Sequence, residues 1–233
     1  MKAKQSPLAR LRGSVSKLRG LGRDTSAVAL VEFAFAAPLV LGMGMMGTET
    51  AYFAVSHMQI SQIAMQVADN ASRVGVSDLA AQLVFEDDIN GTFVGAERLG
   101  ERFDIFGRGR IIISSLQENS VGGQWIAWQR CRGAKVVQSK YGPEGTGAGD
   151  VSFLGMGDDP SALIKASPNT AVMFVEVYYD YEPITPLEFF GDQSLRYTAA
   201  FNIRDVRDLS GLRQTNPASP VSSCSVYSAD RPT

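Results

Sequence analysis

The hydrophobic pattern is dominated by a long apolar run near the N-terminus. From Ala27 to Gly47 the sequence AVALVEFAFAAPLVLGMGMMG contains one charged residue. About 21 helical residues at ~1.5 Å each match a hydrocarbon core of about 30 Å. The pattern predicts a transmembrane helix at residues 28–47. Two alternatives stay open, a helix buried in a soluble protein and a cleaved secretory signal. Small residues that a signal peptidase could use occur in Ala34-Phe35-Ala36 and in Ala51-Tyr52-Phe53-Ala54.

Helical periodicity continues beyond the apolar run. No Gly or Pro interrupts residues 48–74, and apolar residues recur at helical spacing. We expect one helix from about Thr25 to Val74, whose second half, residues 48–75, is amphipathic. Pro38 lies inside it and is tolerated in a membrane helix. The apolar stripe comprises Val55, Ile60, Ile63, Val67, Ala71 and Val74.

Short elements are predicted after Gly75. Asp78 resembles the N-cap of a short helix that runs through Val84. Asn90-Gly91 marks a turn. A further short helix is predicted from Val94 to Phe103.

Strand character begins at Arg110. Residues 110–116 and 124–130 are rich in β-branched or aromatic residues and flank a Gly-containing turn, which predicts a hairpin. Further strands are predicted at residues 171–181 and 195–204. Within the third strand, one alternating set of side chains is predicted to form the core face. That set is Met173, Val175, Val177, Tyr179 and Tyr181.

These elements predict an α+β protein, with a long N-terminal membrane-spanning helix that continues into a small periplasmic domain. The domain is expected to contain an antiparallel sheet of about four strands. The predicted organisation is a basic cytoplasmic leader, a transmembrane helix, a continuing helix, a periplasmic domain and a C-terminal tail. The corresponding ranges are 1–27, 28–47, 48–75, 76–210 and 211–233.

The distribution of charge orients the chain. Seven Lys and Arg residues precede the first acidic residue, Asp24, although the formal net charge of the whole chain is −2. Positive charge on one flank of an apolar segment keeps that flank in the cytoplasm. The chain is therefore expected in a bacterial inner membrane, with its C-terminal domain in the periplasm. The basic head lacks aromatic residues, and we expect no nucleic-acid partner.

Cys131 and Cys224 are the two cysteines of the chain. Both fall in the part predicted to be exported, where disulfides are permitted. One intramolecular pairing is possible, and it would contribute ~3 to 4 kcal/mol in the chain-entropy model. Two unpaired buried thiols are the alternative.

Glu32 is the charged residue of the apolar run. An ionised carboxylate in a lipid-embedded segment costs ~2 kcal/mol or more unless it finds a partner. A position close enough to the interface to stay hydrated or protonated is the alternative explanation.

The stretch Val28-Ala29-Leu30-Val31-Glu32-Phe33 follows a basic leader and begins an apolar helix. It resembles the processing region of type IV pilin-like proteins, and more specifically that of the TadE family of pseudopilins in tight-adherence pilus systems. Residues 175–187, VEVYYDYEPITPL, are similar to the closing region of that family. The resemblance is good over residues 24–74 and fair over residues 110–204. The larger TadG family often carries an added adhesion-type domain, and this chain is short for one.

The resemblance implies a minor pseudopilin that is a structural component or assembly factor of an adhesive pilus. A prepilin peptidase would remove the leader between Ala27 and Val28, leaving Glu32 at the fifth mature position. The family usually has glycine before the cut, and Ala27 departs from that pattern. Glu32, with Phe33 beside it, is expected to act in assembly by pairing with the new α-amino group of Val28 in an adjoining subunit.

The expected partners are other pilin or pseudopilin subunits, the prepilin peptidase, a membrane assembly platform and the lipid bilayer. Small residues in the apolar helix would permit close approach of neighbouring helices. These helix-packing residues are Ala34, Gly42, Gly44 and Gly47.

The catalytic inventory is poor. His57 is the single histidine and is expected on a helix surface. The acidic groups Glu86-Asp87-Asp88 and Asp158-Asp159 could bind a hard cation, but neither has the spacing of a known calcium loop, and solvated loop carboxylates are the simpler interpretation. We therefore expect no enzyme, no metal and no cofactor. An unprocessed single-pass envelope protein with a periplasmic binding domain is the main alternative, and a membrane-anchored periplasmic enzyme is the weaker one.

Overall fold

The computed structural model describes residues 25–77, 81–185 and 190–232, and within these ranges it describes the side chains of all residues except 25–27 and 76–77. Most of the predicted leader, residues 1–24, therefore lies outside the described chain. The chain divides into two compact units, the first ending at Thr50 and the second beginning at Ala51.

A single helix, α1 (Thr25–Arg73), contains the apolar run and the amphipathic segment that follows it. The predicted helix is confirmed to within one residue of its expected end. In the second unit, Ile60, Ile63, Val67 and Ala71 are buried, as the predicted stripe requires, whereas Val55 is 45% exposed.

The remaining elements all lie in the second unit, and the structure is α+β with a four-stranded sheet. They are β1 (Val76–Ser77), β2 (Gln82–Leu83), α2 (Glu86–Leu99), a 3-10 turn (Glu101–Phe103), β3 (Gly109–Glu118), β4 (Gln124–Arg132), β5 (Ala171–Asp180) and β6 (Ser194–Asn202).

The region before β3 differs from the predicted pattern. Residues 82–83 form a short strand instead of the end of a helix, and Asp78 lies outside the described residues. The predicted turn at Asn90-Gly91 is wrong, because both residues are inside α2. Two long-range hydrogen bonds hold the Asn90 side chain, one to the carbonyl of Pro220 and one from the hydroxyl of Ser222. These tertiary contacts override a local turn preference.

The four long strands form an antiparallel sheet in the order β4-β3-β5-β6. β3 and β4 are consecutive along the chain, and so are β5 and β6. The connection from β4 to β5, residues 133–170, crosses β3, which lies between these two strands in the sheet. The predicted hairpin at β3-β4 is confirmed, with an irregularity between Ser115 and Leu116.

One face of this sheet, here called the helix face, packs against α1 and α2. It carries the predicted core residues of β5 from Met173 to Tyr179, together with Ile111 and Ile113 of β3. The helices contribute Ile60, Ile63, Ala64, Val67, Ile89 and Phe93 to the same core.

The opposite face, here called the loop face, is also buried. Val172, Phe174 and Tyr178 of β5 contribute to two further apolar clusters on this face. Residues from the 133–170 connection and from the C-terminal tail complete these clusters. The sequence pattern predicted one core face for β5, but the sheet is covered on both sides, because segments without regular structure pack over the second.

Candidate functional site

The N-terminal half of α1 carries the residues predicted for processing and assembly. The helix is long and apolar enough to cross a membrane, and none of its most apolar 18-residue window is buried within the protein. Large apolar side chains here are exposed, for example Val28 (57%), Phe33 (69%) and Phe35 (75%). A helix that belongs to a soluble core would bury such side chains. This surface therefore requires a covering from outside the described chain.

The predicted cleavage point, between Ala27 and Val28, lies close to the start of α1 at Thr25. The side chain of Ala27 is outside the described set, and the side chain of Val28 is exposed. The first helical turn lacks intrahelical acceptors for its N–H groups, so this is the part of α1 that unwinds most easily.

Glu32 is exposed on α1, one turn beyond Val28. Within the described residues its carboxylate has no hydrogen bond or ion pair. A side chain of this kind on an apolar helix surface is available to a partner from outside the chain.

The predicted small residues fall into two groups on the helix surface. Gly44 and Gly47 are three residues apart and share a side, whereas Gly42, two residues before Gly44, points to another. A methyl group added at any of the three glycines would meet no atom within 4 Å. Their small size is therefore not required by packing against any described residue. Ala34 is likewise exposed.

A polar cluster missed by the sequence reasoning lies on the loop face, around the fully buried carboxylate of Glu176. Its Oε1 accepts hydrogen bonds from the Tyr178 hydroxyl at 2.9 Å, the Lys140 backbone N–H at 3.2 Å and Arg196 at 3.3 Å. Ser139 donates to Oε2. The alternation of β5 could have identified Glu176, because it lies among apolar residues on the face that was not assigned to the core.

Arg196 links this cluster to the 133–170 connection. Its Nη1 donates to both carboxylate oxygens of Asp158, at 2.8 and 2.7 Å, and its Nη2 donates to the Tyr141 hydroxyl at 3.1 Å. Lys140 Nζ also donates to Asp158, at 2.7 Å. The cluster therefore attaches the connection to β5 and β6 at several points.

The electrostatics of the cluster follow from these contacts. The hydrogen bond from Lys140, supported by Arg196, lowers the pKa of Asp158 to about 2. Burial raises the pKa of Tyr178 to about 12. Burial opposes the charge on Arg196, but its hydrogen bonds outweigh that effect and its pKa is raised. At neutral pH the phenol is protonated and the arginine charged.

Four of the five acidic residues considered for cation binding have hydrogen-bond partners within the described chain. Glu86 is 3% exposed, and its carboxylate accepts two hydrogen bonds from Arg130 Nε and one from Nη2. Asp88 accepts the N–H of Phe85 at the start of α2, at 2.9 Å. Asp159 accepts hydrogen bonds from the backbone and side chain of Ser161. No group of three or more potential metal ligands occurs among the described residues.

His57 is half-buried, although the sequence predicted a surface position. Its Nδ1 lies 2.7 Å from the Tyr197 hydroxyl, and its ring contacts Phe53 edge-on. It therefore joins α1 to β6.

The predicted pairing of Cys131 with Cys224 is confirmed, since the two residues form a disulfide. Arg110, fully buried in β3, donates to the carbonyls of Cys224 at 2.8 Å and Val226 at 3.0 Å. Its guanidinium lies 4.2 Å from the centre of the Tyr227 ring. The tail is therefore held against the sheet by a covalent bond and a buried arginine.

No protein-family model, curated protein or solved structure matches this chain. Fold and site together define a class: an α+β protein whose long N-terminal helix presents an apolar surface capable of crossing a membrane.

Proposed function

We propose that this chain is a TadE-like minor pseudopilin, a structural component or assembly factor of an adhesive tight-adherence pilus. The N-terminal half of α1 anchors it in the bacterial inner membrane, with the N-terminus in the cytoplasm and the α+β domain in the periplasm. The observation that carries the proposal is the exposed apolar surface of this half-helix, interrupted by the carboxylate of Glu32, which has no partner among the described residues.

Lipid supplies the covering that the exposed apolar side chains require. Residues 28–47 are about as long as the hydrocarbon core is thick, and the basic residues that precede them orient the helix. The Cys131–Cys224 disulfide supports a domain on the oxidising side of the membrane.

Glu32 gains a partner if a prepilin peptidase cuts between Ala27 and Val28. The cut creates an α-amino group at Val28 and makes Glu32 part of the first turns of the trimmed helix, where the positive end of the helix dipole favours a carboxylate. Pairing of Glu32 with the amino group of an adjoining subunit then sets the register between two helices in a low dielectric. The exposed pair Gly44 and Gly47 allows those helices to approach closely.

The experiment is to determine the N-terminus of the mature protein in its native membrane, by intact mass and N-terminal peptide sequencing. A terminus at Val28 is the expected result. Two variants at the residue before the cut make this test more specific. Ala27→Gly should raise the cleaved fraction of the protein, and Ala27→Leu should lower it. A cut near Ala36 or Ala54 would instead identify a secretory signal and overturn the membrane anchor.

Glu32→Gln separates processing from assembly. If Glu32 acts as the partner of a neighbour's amino group, the variant keeps the Val28 terminus but loses co-purification with other pilin subunits. If the variant co-purifies fully with the other pilin subunits, Glu32 does not have this role.

A second candidate is an unprocessed single-pass envelope protein with a periplasmic binding domain. The observation that favours it is Ala27, which stands where glycine is usual in the family. A mature terminus at Met1 or Lys2 would select this candidate, and Glu32 would then lack the amino-group partner.

A further inference from the structure

Among the described residues, one edge of the four-stranded sheet is covered and the other is open. On the outer edge of β4, three backbone N–H groups donate to carbonyls of the 133–170 connection and the tail. These donors are Ile126, Cys131 and Gly133, and their acceptors are Thr146, Ser222 and Ser228, each at 2.9 Å. An incoming strand cannot pair there, because these positions are occupied.

Two hydrogen bonds show which peptide groups of β6 face outward. Tyr181 N–H donates to the Gln193 carbonyl at 2.9 Å, and Ile203 N–H donates to the Ala171 carbonyl at 3.1 Å. Hydrogen-bonded pairs alternate along an antiparallel ladder, so the odd-numbered residues of β6 bond to β5. The outward residues are therefore Ser194, Arg196, Thr198, Ala200 and Asn202.

Within the described residues, none of these outward peptide groups has a backbone hydrogen bond. The usual protections of an edge strand are also missing. The strand contains no Pro, no Lys and no register irregularity against β5. Its one charge, Arg196, is engaged by Asp158 and Glu176.

We propose that β6 is a docking edge on which an extended segment of another polypeptide adds as a fifth strand. A row of alternating N–H and C=O groups at strand spacing is complementary to another extended backbone. On the helix face, half-buried Ala199 lies between the larger side chains of Tyr197 and Phe201. The partner segment therefore has a bulky apolar residue opposite Ala199.

A second copy of this chain does not fit the edge, a conclusion that rests on the proposed membrane anchoring. His57 contacts Tyr197, and Asp69 pairs with Arg204 at 2.8 Å, so the part of α1 in the second unit, from Ala51 to Arg73, runs in the same direction as β6. Antiparallel pairing of two β6 strands would point these parts of the two α1 helices in opposite directions. In a parallel pair related by a two-fold axis, each residue of β6 would lie directly opposite the same residue of the other copy. The hydrogen bonds of a parallel ladder slant between residues at staggered positions, so this arrangement does not form one.

The test is residue-resolved amide hydrogen exchange of the full-length protein, compared between detergent and native membranes. In detergent, the outward amides of Thr198 and Ala200 should exchange at least tenfold faster than the inward amides of Tyr197 and Ala199. In native membranes the outward amides should slow at least tenfold. Fast outward exchange in both samples, or slow exchange in both, would overturn the docking edge.

Two proline variants provide a matched pair. Ala200→Pro removes an outward N–H and leaves the bonds to β5, so the fold should persist while membrane protection at Thr198 is lost. Ala199→Pro removes an inward N–H and should weaken the β5–β6 pairing in detergent as well. Protection at Thr198 that survives Ala200→Pro would contradict strand addition.

The variant Thr198→Cys tests whether the segment that occupies the edge belongs to a second copy of this chain or to a different polypeptide. Antiparallel pairing of two copies centred on the middle of β6 brings Thr198 opposite its own equivalent, within disulfide range. Protection without a disulfide-linked homodimer is expected for a different polypeptide, and a homodimer would overturn that choice. The mature N-terminus measured on the same membranes reports separately on the proposed function.

Discussion

Glu176 is a buried carboxylate whose partners come from three separate parts of the chain. Ser139 and Lys140 lie in the 133–170 connection, Tyr178 in the same strand and Arg196 in β6. Four hydrogen bonds compensate for its loss of water. Because each partner is also fixed by other contacts, the cluster holds the connection over the loop face.

Replacing Arg196 tests this compensation. Arg196→Met leaves the Glu176 charge buried without its cation, and we expect the free energy of unfolding to fall by about 3 kcal/mol. Urea denaturation measures the change. Arg204→Met is the matched control, since its guanidinium is half exposed and its surface pair with Asp69 should contribute under ~1 kcal/mol. Equal effects of the two variants would contradict the role of the cluster.

Asp158 should make stability depend on acid pH. Its pKa in the folded protein, about 2, lies below its ordinary value of 3.8. The stabilisation is therefore fully present above pH ~4 and is lost as the pH falls towards the folded pKa. Unfolding free energies measured between pH 5 and 2 should fall less steeply for Asp158→Asn than for wild type. Parallel curves would show that the carboxylate contributes nothing.

At the scale of elements, the C-terminal end of α1 is capped by Arg207, which is remote from it in sequence. Arg207, 7% exposed, donates to the carbonyls of Ala71, Ser72 and Val74 at 3.2, 3.1 and 2.8 Å. The last carbonyls of a helix lack intrahelical donors, and a cation is favoured at this end. Burial lowers the pKa of Arg207, but the group keeps its charge at neutral pH.

Loss of this cap should loosen the end of α1. Arg207→Met leaves buried carbonyls without donors, and we expect a loss of about 3 kcal/mol in unfolding free energy. Faster hydrogen exchange of the last-turn amides of α1 is the local readout. Arg73→Met, which removes only an exposed pair with Asp69, should change stability by no more than ~0.5 kcal/mol. A last turn that keeps its protection in Arg207→Met would contradict the capping role.

At the scale of the whole molecule, the C-terminal tail closes the domain. The disulfide joins residues 93 positions apart, and Arg110 and Arg132 donate to tail carbonyls. The tail thereby supplies part of the covering of the loop face and blocks the edge of β4. Its position explains why the edge of β4 is closed, whereas no described residue pairs with the outer edge of β6.

Removing the disulfide should destabilise the domain. For Cys131→Ser combined with Cys224→Ser we expect a loss of ~3 to 4 kcal/mol, because the unfolded chain regains the freedom of a long loop. Chemical denaturation gives the size of the loss, and limited proteolysis should show earlier cleavage after residue 211. Wild type under reducing conditions is the control and should match the double variant. Unchanged stability would mean that noncovalent contacts alone hold the tail.

The sequence by itself determined the features that depend on local pattern. The apolar run predicted the N-terminal half of α1 because its length matches the thickness of a membrane. β-branched and aromatic segments on either side of a turn predicted β3 and β4 within a few residues, and the strands predicted at residues 171–181 and 195–204 correspond to β5 and β6. The shared location of Cys131 and Cys224 favoured their pairing.

Only the tertiary structure decided what depends on contacts between distant segments. The burial of Glu176, the capping of α1 by Arg207 and the helical state of Asn90-Gly91 each require partners far away in sequence. Local pattern could not show that segments lacking regular structure cover the loop face. The tertiary structure also decided that the outer edge of β6 is free of backbone hydrogen bonds among the described residues. The pairing of a strand is set by its neighbours in space and not by its own residues.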